Sequence, residues 1–361
     1  MTWLEQVNDN PIAWLLEPES PGVRYLALRD LAGLPRGDPE LAAAQKLAHT
    51  QGPIATVLAA MQPAGYWVKP GPGYSPKYRS TVWAMILLGQ LGASARADER
   101  VARACGYVLN HALAADGQFT HNGAPGGTYD CLQGNLSNAL LDLGCSDPRL
   151  EKAMEWAART VTGEGLAAPD DRQAAVRYTA YKCGPLFRCG ANDRLPCAWG
   201  AVKIMLAFAK RPKERRTPLI QRAIEQGAEF LLNTDPATAA YPTPPPRAPG
   251  GVFSFRNTDP ATAAYPTRPR SKPNAGWWKF GFPVFGMTDV LQNAEALARL
   301  GYGHDPRLAN ALRLVLDKQD EGGRRPLEYD YEGRTWLSFG PTRQPNKWVT
   351  LRALNVLKAA G

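Results

Sequence analysis

The chain has 361 residues, 44% of them hydrophobic, and a formal net charge of +9 at pH 7. This is long and apolar enough for a sizeable core. It has no run of about 18 uncharged apolar residues, and residues 1–17 lack a signal-peptide pattern, so we expect a cytoplasmic protein without a transmembrane segment. The basic residues are spread out and no nucleic-acid-binding motif is present, so we expect no nucleic-acid partner.

Helical segments follow one another along the chain, beginning with residues 23–32 and 41–61. From there on, segments that are apolar nearly all round recur about every 50 residues, a period typical of helical arrays. Such segments are expected to be buried on most sides. They are residues 81–91, 132–143, 198–209, 284–300 and 348–357.

Amphipathic segments alternate with the apolar ones and begin with recognisable caps. Asp147-Pro148-Arg149-Leu150 opens one helix, Asp305-Pro306-Arg307-Leu308 repeats the same four residues, and Thr217-Pro218 opens a third. Asp or Thr at the N-cap, followed by Pro at the first helical position, is a strong start signal. We therefore predict an all-α fold, an α/α toroid with inner and outer rings of about six helix pairs, as a single domain over residues 1–361.

A Pro-rich stretch over residues 233–275 interrupts this pattern. Its residues 233–243 recur identically at 257–267. A segment of this composition buries little apolar surface, so we predict a surface insertion at the periphery of the ring.

The segment from Gln62 to Trp67 resembles the Gln-x-x-Gly-x-Trp repeat of squalene-hopene cyclases, and Gln319 to Gly323 is similar to a degenerate copy. The chain thus resembles the toroid superfamily of terpene cyclases, squalene-hopene cyclases and protein prenyltransferase β-subunits. This resemblance implies an α/α toroid with an active site at the N-terminal ends of the inner helices.

Two motifs depart from that superfamily. The Asp-x-Asp-Asp acid of class II terpene cyclases has only Asp170-Asp171 as a counterpart. Cys197 resembles the zinc-binding Cys of prenyltransferase β-subunits, but Leu195 stands where that family has Asp.

Four cysteines stand where inner helices are predicted to start. Cys183, Cys189 and Cys197 lie on one loop, and Cys131 opens the preceding inner helix. Thiolates bind zinc tetrahedrally, so we predict a metal site of these four residues, with zinc as the ion or an iron–sulfur cluster as the alternative. Their alternative role is that of small buried hydrophobes. Cys105 and Cys145 are predicted to be structural.

Further polar and aromatic residues are predicted around a central cavity, where helix N-termini and cations favour an anion. Candidate catalytic residues are Asp130, His121 and Asp289. Candidate substrate-binding residues are Lys77, Tyr78, Arg79, Trp83, Gln133, Trp199, Lys279, Lys347 and Trp348.

The leading functional hypothesis is a metal-containing, prenyltransferase- or terpene-cyclase-like toroid enzyme. It would act on, or bind, an anionic and partly apolar small molecule. One alternative is a non-catalytic binding protein with a structural all-cysteine zinc site. Another is a carbohydrate-active toroid hydrolase or lyase, which needs two carboxylates about 5 to 10 Å apart in the cavity.

Overall fold

The computed structural model describes residues 2–166, 183–242 and 274–361. Within these ranges the α-helices are α1 (Ile12–Leu15), α2 (Pro21–Asp30), α3 (Pro39–Thr50), α4 (Gly52–Ala59), α5 (Thr81–Leu91), α6 (Glu99–His111), α7 (Asp130–Asp142), α8 (Arg149–Thr162), α9 (Ala198–Ala209), α10 (Pro218–Leu232), α11 (Val290–Leu297), α12 (Ala309–Asp317) and α13 (Lys347–Ala360). Strands β1 (Arg188–Cys189) and β2 (Leu195–Pro196) form a small antiparallel hairpin. No helix in these ranges is both long and apolar enough to cross a membrane.

Six helices form an inner ring: α2, α5, α7, α9, α11 and α13. From α5 to α13, each packs against the next in this order, and α13 packs against α2. Gly22 at the start of α2 lies beside Trp348 of α13, and Gly92 at the end of α5 lies beside Leu26 of α2, which closes the ring. The seven other helices of the described ranges pack outside this ring, and the predicted all-α toroid is confirmed.

Composition explains which helices lie inside. Ten of the eleven residues of α5 are buried, because Gln90 is its one large polar side chain. The outer helix α8 instead alternates buried and charged residues. Burying a helix on most sides requires apolar residues all round, whereas an outer helix needs only one apolar stripe.

Helix boundaries follow the caps in the sequence. Asp147 accepts a hydrogen bond from the backbone N–H of Arg149 at 2.9 Å, where α8 begins. Asp305 does the same for Arg307 at 2.9 Å, but its Asp-Pro start forms a 3₁₀ turn that leads into α12. Thr217 caps α10 through Ile220 at 3.3 Å. These side chains satisfy backbone donors that have no partner within the helix.

Helices α7 and α9 approach more closely than side chains would allow. A Cβ atom on Gly134 of α7 would overlap the backbone of Lys203 and Ile204 in α9. A Cβ atom on Gly200 of α9 would lie 2.8 Å from the Cβ of Asp130. The two glycines therefore bring the first turn of α7 against that of α9, where the candidate site lies.

Two predicted segments differ from the structure. Residues 41–61 form two helices, because Gly52 adopts a positive φ of +71° and Pro53 follows it. Residues 284–300 become helical only at Val290. The apolar residues before Val290 form an extended segment inside the ring, which apolar composition alone does not distinguish from a buried helix.

The predicted insertion is described only in part, since residues 243–273 lie outside the described ranges, as do Asp170 and Asp171. The described part of the first copy of the duplicated segment, residues 233–242, contacts the ring. Its Tyr241 is buried and donates to the carbonyl of Leu231 at 2.8 Å. Trp277 and Trp278 donate to the carbonyls of Pro236 and Ala237, so aromatic side chains hold this copy against the ring.

Candidate functional site

The N-terminal ends of the inner helices lie at one end of the toroid, which we call the mouth. Gly200 at the start of α9 lies beside Asp130 at the start of α7. The hydroxyl of Thr288, just before α11, donates to the carbonyl of Trp199 at 3.3 Å. These contacts join the first turns of three consecutive inner helices. The sequence prediction that they start side by side is therefore confirmed for α7, α9 and α11.

Residues 281–288, which we call the central segment, run through the middle of the ring. Side chains from inner helices hold its backbone. Gln90 of α5 makes two hydrogen bonds to Val284, each 2.8 Å, and Asn135 of α7 donates to the carbonyl of Phe285 at 3.2 Å. The ring therefore encloses a piece of its own chain at the position where the sequence predicts an open cavity.

Two cationic side chains also hydrogen-bond to the backbone of the central segment. Lys203 of α9 donates to the carbonyl of Met287 at 3.2 Å, and Arg352 of α13 donates to that of Gly281 at 2.6 Å. Because the segment is buried, each of these carbonyls needs a partner, and the polar side chains of otherwise apolar helices provide it.

Lys203 is a buried amine, with 2% of its surface exposed. Its ammonium group also donates to the side-chain oxygen of Gln292. Burial lowers the pKa of Lys203 to about 8, although the carboxylate of Asp289 opposes this fall. The amine is therefore partly deprotonated near neutral pH.

Aromatic side chains line the mouth above the central segment. The ring of Phe285 contacts those of Tyr78, Trp83 and Tyr331, with centroids 5.4, 5.5 and 4.9 Å apart. Tyr78 and Tyr331 also contact each other, at 4.5 Å. Aromatic faces carry partial negative charge, so such a wall suits an apolar or cationic group.

A second aromatic group continues the wall towards α7. His121 stacks on Tyr129 at 4.8 Å, and both meet the edge of Tyr74, at 5.8 and 5.9 Å. A ring nitrogen of His121 lies 2.6 Å from the carbonyl of Gly127. All three rings are half-buried. His121, predicted as a catalytic candidate, therefore lies at the mouth.

Asp130 opens α7 and is 3% exposed. Among the described residues, no donor makes a hydrogen bond of good geometry to its carboxyl oxygens, and the backbone N–H of Gly184 is a nearby donor. Burial, and then the charge on Cys189, raise the pKa of Asp130 well above its usual value, while the backbone N–H of Gly184 opposes the rise. A buried carboxyl without a well-formed hydrogen bond is costly to the fold, which marks Asp130 as a functional candidate.

The four cysteines predicted as ligands lie around Asp130. Each is close enough to others of the group to influence their ionisation, and the thiols of Cys189 and Cys197 share a hydrogen bond. Burial, and then the charges on Asp130 and Cys189, raise the pKa of Cys131 to about 11. Burial also raises the pKa of Cys183. The four thiols thus lie near one another, and the metal site that they were expected to form stays a prediction.

The loop geometry explains how three of these thiols meet. The β1–β2 hairpin pairs Cys189 with Leu195, and the backbone N–H of Cys197 donates to the carbonyl of Phe187 at 2.9 Å. The hairpin then enters α9, whose first turn lies against α7 and Cys131.

The donor set of this cluster fits a thiophilic metal ion, since it offers four thiols and one unpartnered carboxyl. Its geometry is not assembled: no three His, Cys, Asp or Glu side chains in the described ranges are arranged so that they hold one ion.

Asp289, the third catalytic candidate, is the fully buried N-cap of α11. It accepts a hydrogen bond from the backbone of Gln292 at 2.8 Å and forms an ion pair with Arg352 at 3.2 Å. The carboxylate of Asp289 therefore has a structural role, because its partners are groups of the protein itself.

The four predicted cations differ in the partners that their charged groups have within the protein. Arg79 donates to three backbone carbonyls, of Gly333, Arg334 and Thr335. Lys347 pairs with Glu17 at 2.7 Å. Lys77 is exposed and lies 5.8 Å from the ring centre of Tyr74, and Lys279 is exposed as well. Of the four, Lys77 is the cation placed beside the aromatic wall.

The remaining predicted residues pack within the ring. Gln133 accepts from the backbone of Phe119 at 2.7 Å and donates to the carbonyl of Ala153 at 2.8 Å, which joins α7 to its outer neighbours. Trp348 stacks on Phe282 at 4.6 Å. Trp199 is half-buried at the start of α9.

Sequence reasoning missed Lys203, Arg352 and the central segment. A signal was present for the two cations, because each is a single charge within a predicted apolar helix. A charge at such a position needs a buried partner. The central segment has no comparable signal.

No protein-family model and no curated protein matches the chain. Among solved structures, it is similar to the type II terpene cyclase MstE from Scytonema. A variant of that enzyme in complex with its product merosterolic acid A shares 14% identity over 88% of this chain and 96% of the other, with a TM-score of 0.31. The apo enzyme shares 13% identity over 88% of this chain and 97% of the other, with a TM-score of 0.30. A likeness of this size carries no argument about the site or its activity.

Proposed function

We propose that the protein is a toroid enzyme that binds an anionic, partly apolar, isoprenoid-like small molecule at the mouth and uses a metal site formed by Cys131, Cys183, Cys189 and Cys197. One observation carries the proposal: Cys131, Cys183 and Cys189 lie near the buried carboxyl of Asp130, and Cys197 lies beside Cys189. Among the described residues, neither oxygen of that carboxyl makes a well-formed hydrogen bond. Burial and mutual repulsion disfavour every anion in this cluster, and a bound cation would remove that penalty.

Each of the other residues of the mouth has its own role towards the ligand. The wall of Tyr78, Trp83 and Tyr331 packs against the apolar part of the ligand and excludes water. Lys77, exposed beside Tyr74, attracts its anionic end. With the metal bound, Asp130 would carry its carboxylate beside the ion and could accept a proton from the ligand. A zinc ion held by three of the four thiolates would keep one position open, through which it could polarise an oxygen atom of the ligand.

Metal content is the first test. We expect about one zinc or iron per chain by inductively coupled plasma mass spectrometry, and its loss when Cys131, Cys183, Cys189 and Cys197 are all replaced by Ala. The matched control is the double variant Cys105→Ala/Cys145→Ala, which removes two thiols elsewhere and should keep the metal. Wild-type protein that stays metal-free after incubation with zinc would overturn the metal site.

Ligand class is the second test. Thermal shifts are compared for farnesyl diphosphate, farnesol and inorganic diphosphate, because these probes separate the apolar part from the anionic part. We expect farnesyl diphosphate to stabilise the protein most. Replacing Trp83 by Ala should reduce the response to farnesyl diphosphate and to farnesol. If none of the three probes changed the melting temperature, the proposal would be contradicted.

A non-catalytic binding protein is the second candidate, favoured by the central segment, which fills the middle of the ring. Product analysis by mass spectrometry separates the candidates. Farnesyl diphosphate that binds and is recovered unchanged from the metal-loaded protein favours the binding protein.

A further inference from the structure

A cavity of about 430 Å³ lies at the end of the toroid opposite the mouth, where the inner helices α5 and α7 end. We call it the basal cavity. It is bounded by the second half of α2, the loop between α2 and α3, the first half of α3, the turn after α5 and the end of α7. Its volume is within the range of small-molecule binding sites.

Three arginine residues line the basal cavity: Arg29 of α2, Arg36 of the loop that follows α2, and Arg96 of the turn after α5. The guanidinium group of Arg29 donates two hydrogen bonds to the carboxylate of Asp30, of 2.6 and 2.8 Å. Within the described residues, the guanidinium groups of Arg36 and Arg96 form no ion pair and no hydrogen bond. These two arginines therefore bring uncompensated positive charge to one cavity.

One carboxylate also lines the basal cavity, that of Asp142 at the end of α7. Lys210 of α9 forms an ion pair with it. Since Arg29 is paired in the same way with Asp30, the charges that remain are those of Arg36 and Arg96. The balance at the cavity is thus positive and favours an anion.

Helix C-termini repel anions through carbonyl groups that have no partner within the helix. At this end of the toroid, several of these carbonyls are satisfied. Lys358 of α13 donates to the carbonyls of Asp30 and Leu31, at 2.7 and 3.0 Å. The backbone N–H of Ala95 donates to the carbonyl of Leu143 at 2.8 Å. The repulsion between these helix ends and an anion is thereby reduced.

The wall of the basal cavity between the arginines is largely apolar. Leu34, Leu41 and Leu141 line it, together with the aromatic residue Tyr25. The hydroxyl of Tyr25 on α2 accepts a hydrogen bond of 3.0 Å from the side-chain amide of Gln45 on α3. Two sides of the cavity are therefore joined before any ligand binds, which lowers the cost of binding.

We propose that the basal cavity binds a phosphate monoester whose organic part is apolar or aromatic. A phosphate monoester carries about two negative charges at neutral pH, which match the guanidinium groups of Arg36 and Arg96. Each guanidinium group can bind phosphate oxygens through two parallel hydrogen bonds. The organic part packs against Leu34, Leu41 and Leu141. This site is separate from the mouth and depends neither on a metal there nor on the ligand proposed for it.

The test is isothermal titration calorimetry of the full chain with phenyl phosphate as the probe, at about pH 7, where the ester is mostly a dianion. Phenol has only the ring, inorganic phosphate has only the anion, and benzoate has a ring with a single negative charge. We expect phenyl phosphate to bind most tightly of the four. Its affinity should fall as salt is added, because the arginines are exposed.

Charge removal tests the role of the arginines. The double variant Arg36→Gln/Arg96→Gln should weaken the binding of phenyl phosphate by about tenfold or more, because charge-assisted hydrogen bonds are lost. The matched control Arg103→Gln/Arg343→Gln removes the same charge from exposed residues outside the cavity. It should bind phenyl phosphate within about twofold of the wild type. Circular dichroism checks the fold of both variants.

A second pair of variants tests the cavity itself and leaves every arginine in place. Ala42 and Ala43 are both exposed on α3, and of the two only Ala42 lines the basal cavity. We expect Ala42→Trp to fill the cavity and weaken the binding of phenyl phosphate. Ala43→Trp should bind it as the wild type does.

The proposal is overturned if phenyl phosphate does not bind, or if the two arginine double variants bind it equally well. It is also overturned if inorganic phosphate or benzoate binds as tightly as phenyl phosphate does. Binding that is lost in Lys77→Gln and kept in Arg36→Gln/Arg96→Gln would place the phosphate at the mouth, with the same consequence. The metal content of the protein is not affected by any of these results, so the two proposals fail separately.

Discussion

Asp130 and Asp289 hold comparable positions and have opposite surroundings. Each lies at the start of an inner helix, α7 or α11, and each is buried, at 3% and 0% exposure. Asp289 caps its helix and pairs with Arg352. Asp130 has Gly200 against its Cβ, thiols near its carboxyl and, among the described residues, no hydrogen bond of good geometry. The same residue type is thus structural at one helix start and a functional candidate at the other.

The difference shows that burial alone does not identify a functional carboxylate. Asp289 is the more deeply buried of the two, but its charge is compensated by a guanidinium group and a backbone N–H. Asp130 has no salt bridge within the described residues, and the backbone N–H of Gly184 offsets its burial only in part, so it is the group that a ligand, a metal or a proton must satisfy. Three measurements test this comparison.

The largest effect is expected at Asp289. Replacement by Ala leaves Arg352 charged, buried and without its carboxylate, which costs about 3–5 kcal/mol. Denaturant unfolding of Asp289→Ala measures this loss. The double variant Asp289→Ala/Arg352→Met should recover part of it, because no buried charge remains. If the free energy of unfolding fell by less than about 1 kcal/mol, the Asp289–Arg352 pair would stabilise the fold no more than an exposed ion pair does. The contrast between Asp289 and Asp130 would then be weaker.

An effect that depends on pH is expected at Asp130. Because its pKa is raised on folding, the folded state keeps the proton that the unfolded state releases above pH 4 or so. The stability of chelator-treated wild-type protein should therefore fall relative to Asp130→Asn as pH rises from that value. The slope is at most about 1.4 kcal/mol per pH unit.

Parallel pH profiles for wild type and Asp130→Asn would show that Asp130 is ionised and satisfied in the folded protein. The same comparison after zinc loading sharpens the result. A bound cation should flatten the slope, because it stabilises the carboxylate.

The smallest effect is expected at Asp38, which provides a reference for a cap near the surface. Asp38 caps α3 by accepting from the backbone of Glu40 at 2.8 Å and of Leu41 at 3.2 Å. Asp38→Ala should cost about 1 kcal/mol. A loss as large as that at Asp289 would mean that capping, and not the buried ion pair, dominates at α11.

The sequence predicted much of the fold because its signals are local. Asp147 and Thr217 cap the helices that they were expected to open, and Gly92 ends α5 with a positive φ of +82°. The apolar segments α5 and α9 match their predicted bounds, residues 81–91 and 198–209. Each of these features depends on a few neighbouring residues.

The remaining features depend on contacts between distant parts of the chain. The partner of Asp289 is 63 residues away, and that of Gln90 is 194 residues away. Nothing near Val284 in the sequence indicates that its backbone will meet α5. The toroid fold places successive inner helix starts together, so the sequence could place Cys131 near the loop from Cys183 to Cys197, whereas the metal site itself stays a prediction.

The central segment also constrains the order in which the protein can be assembled. Gln90, Asn135 and Lys203 belong to the first three-fifths of the chain, but their backbone partners follow residue 280. Until those partners arrive, a partial ring would bury polar groups without satisfying them. A linear helical repeat can grow unit by unit from either end. This ring instead becomes stable only when the central segment has joined the inner helices. We therefore expect that shorter pieces of the chain do not fold on their own.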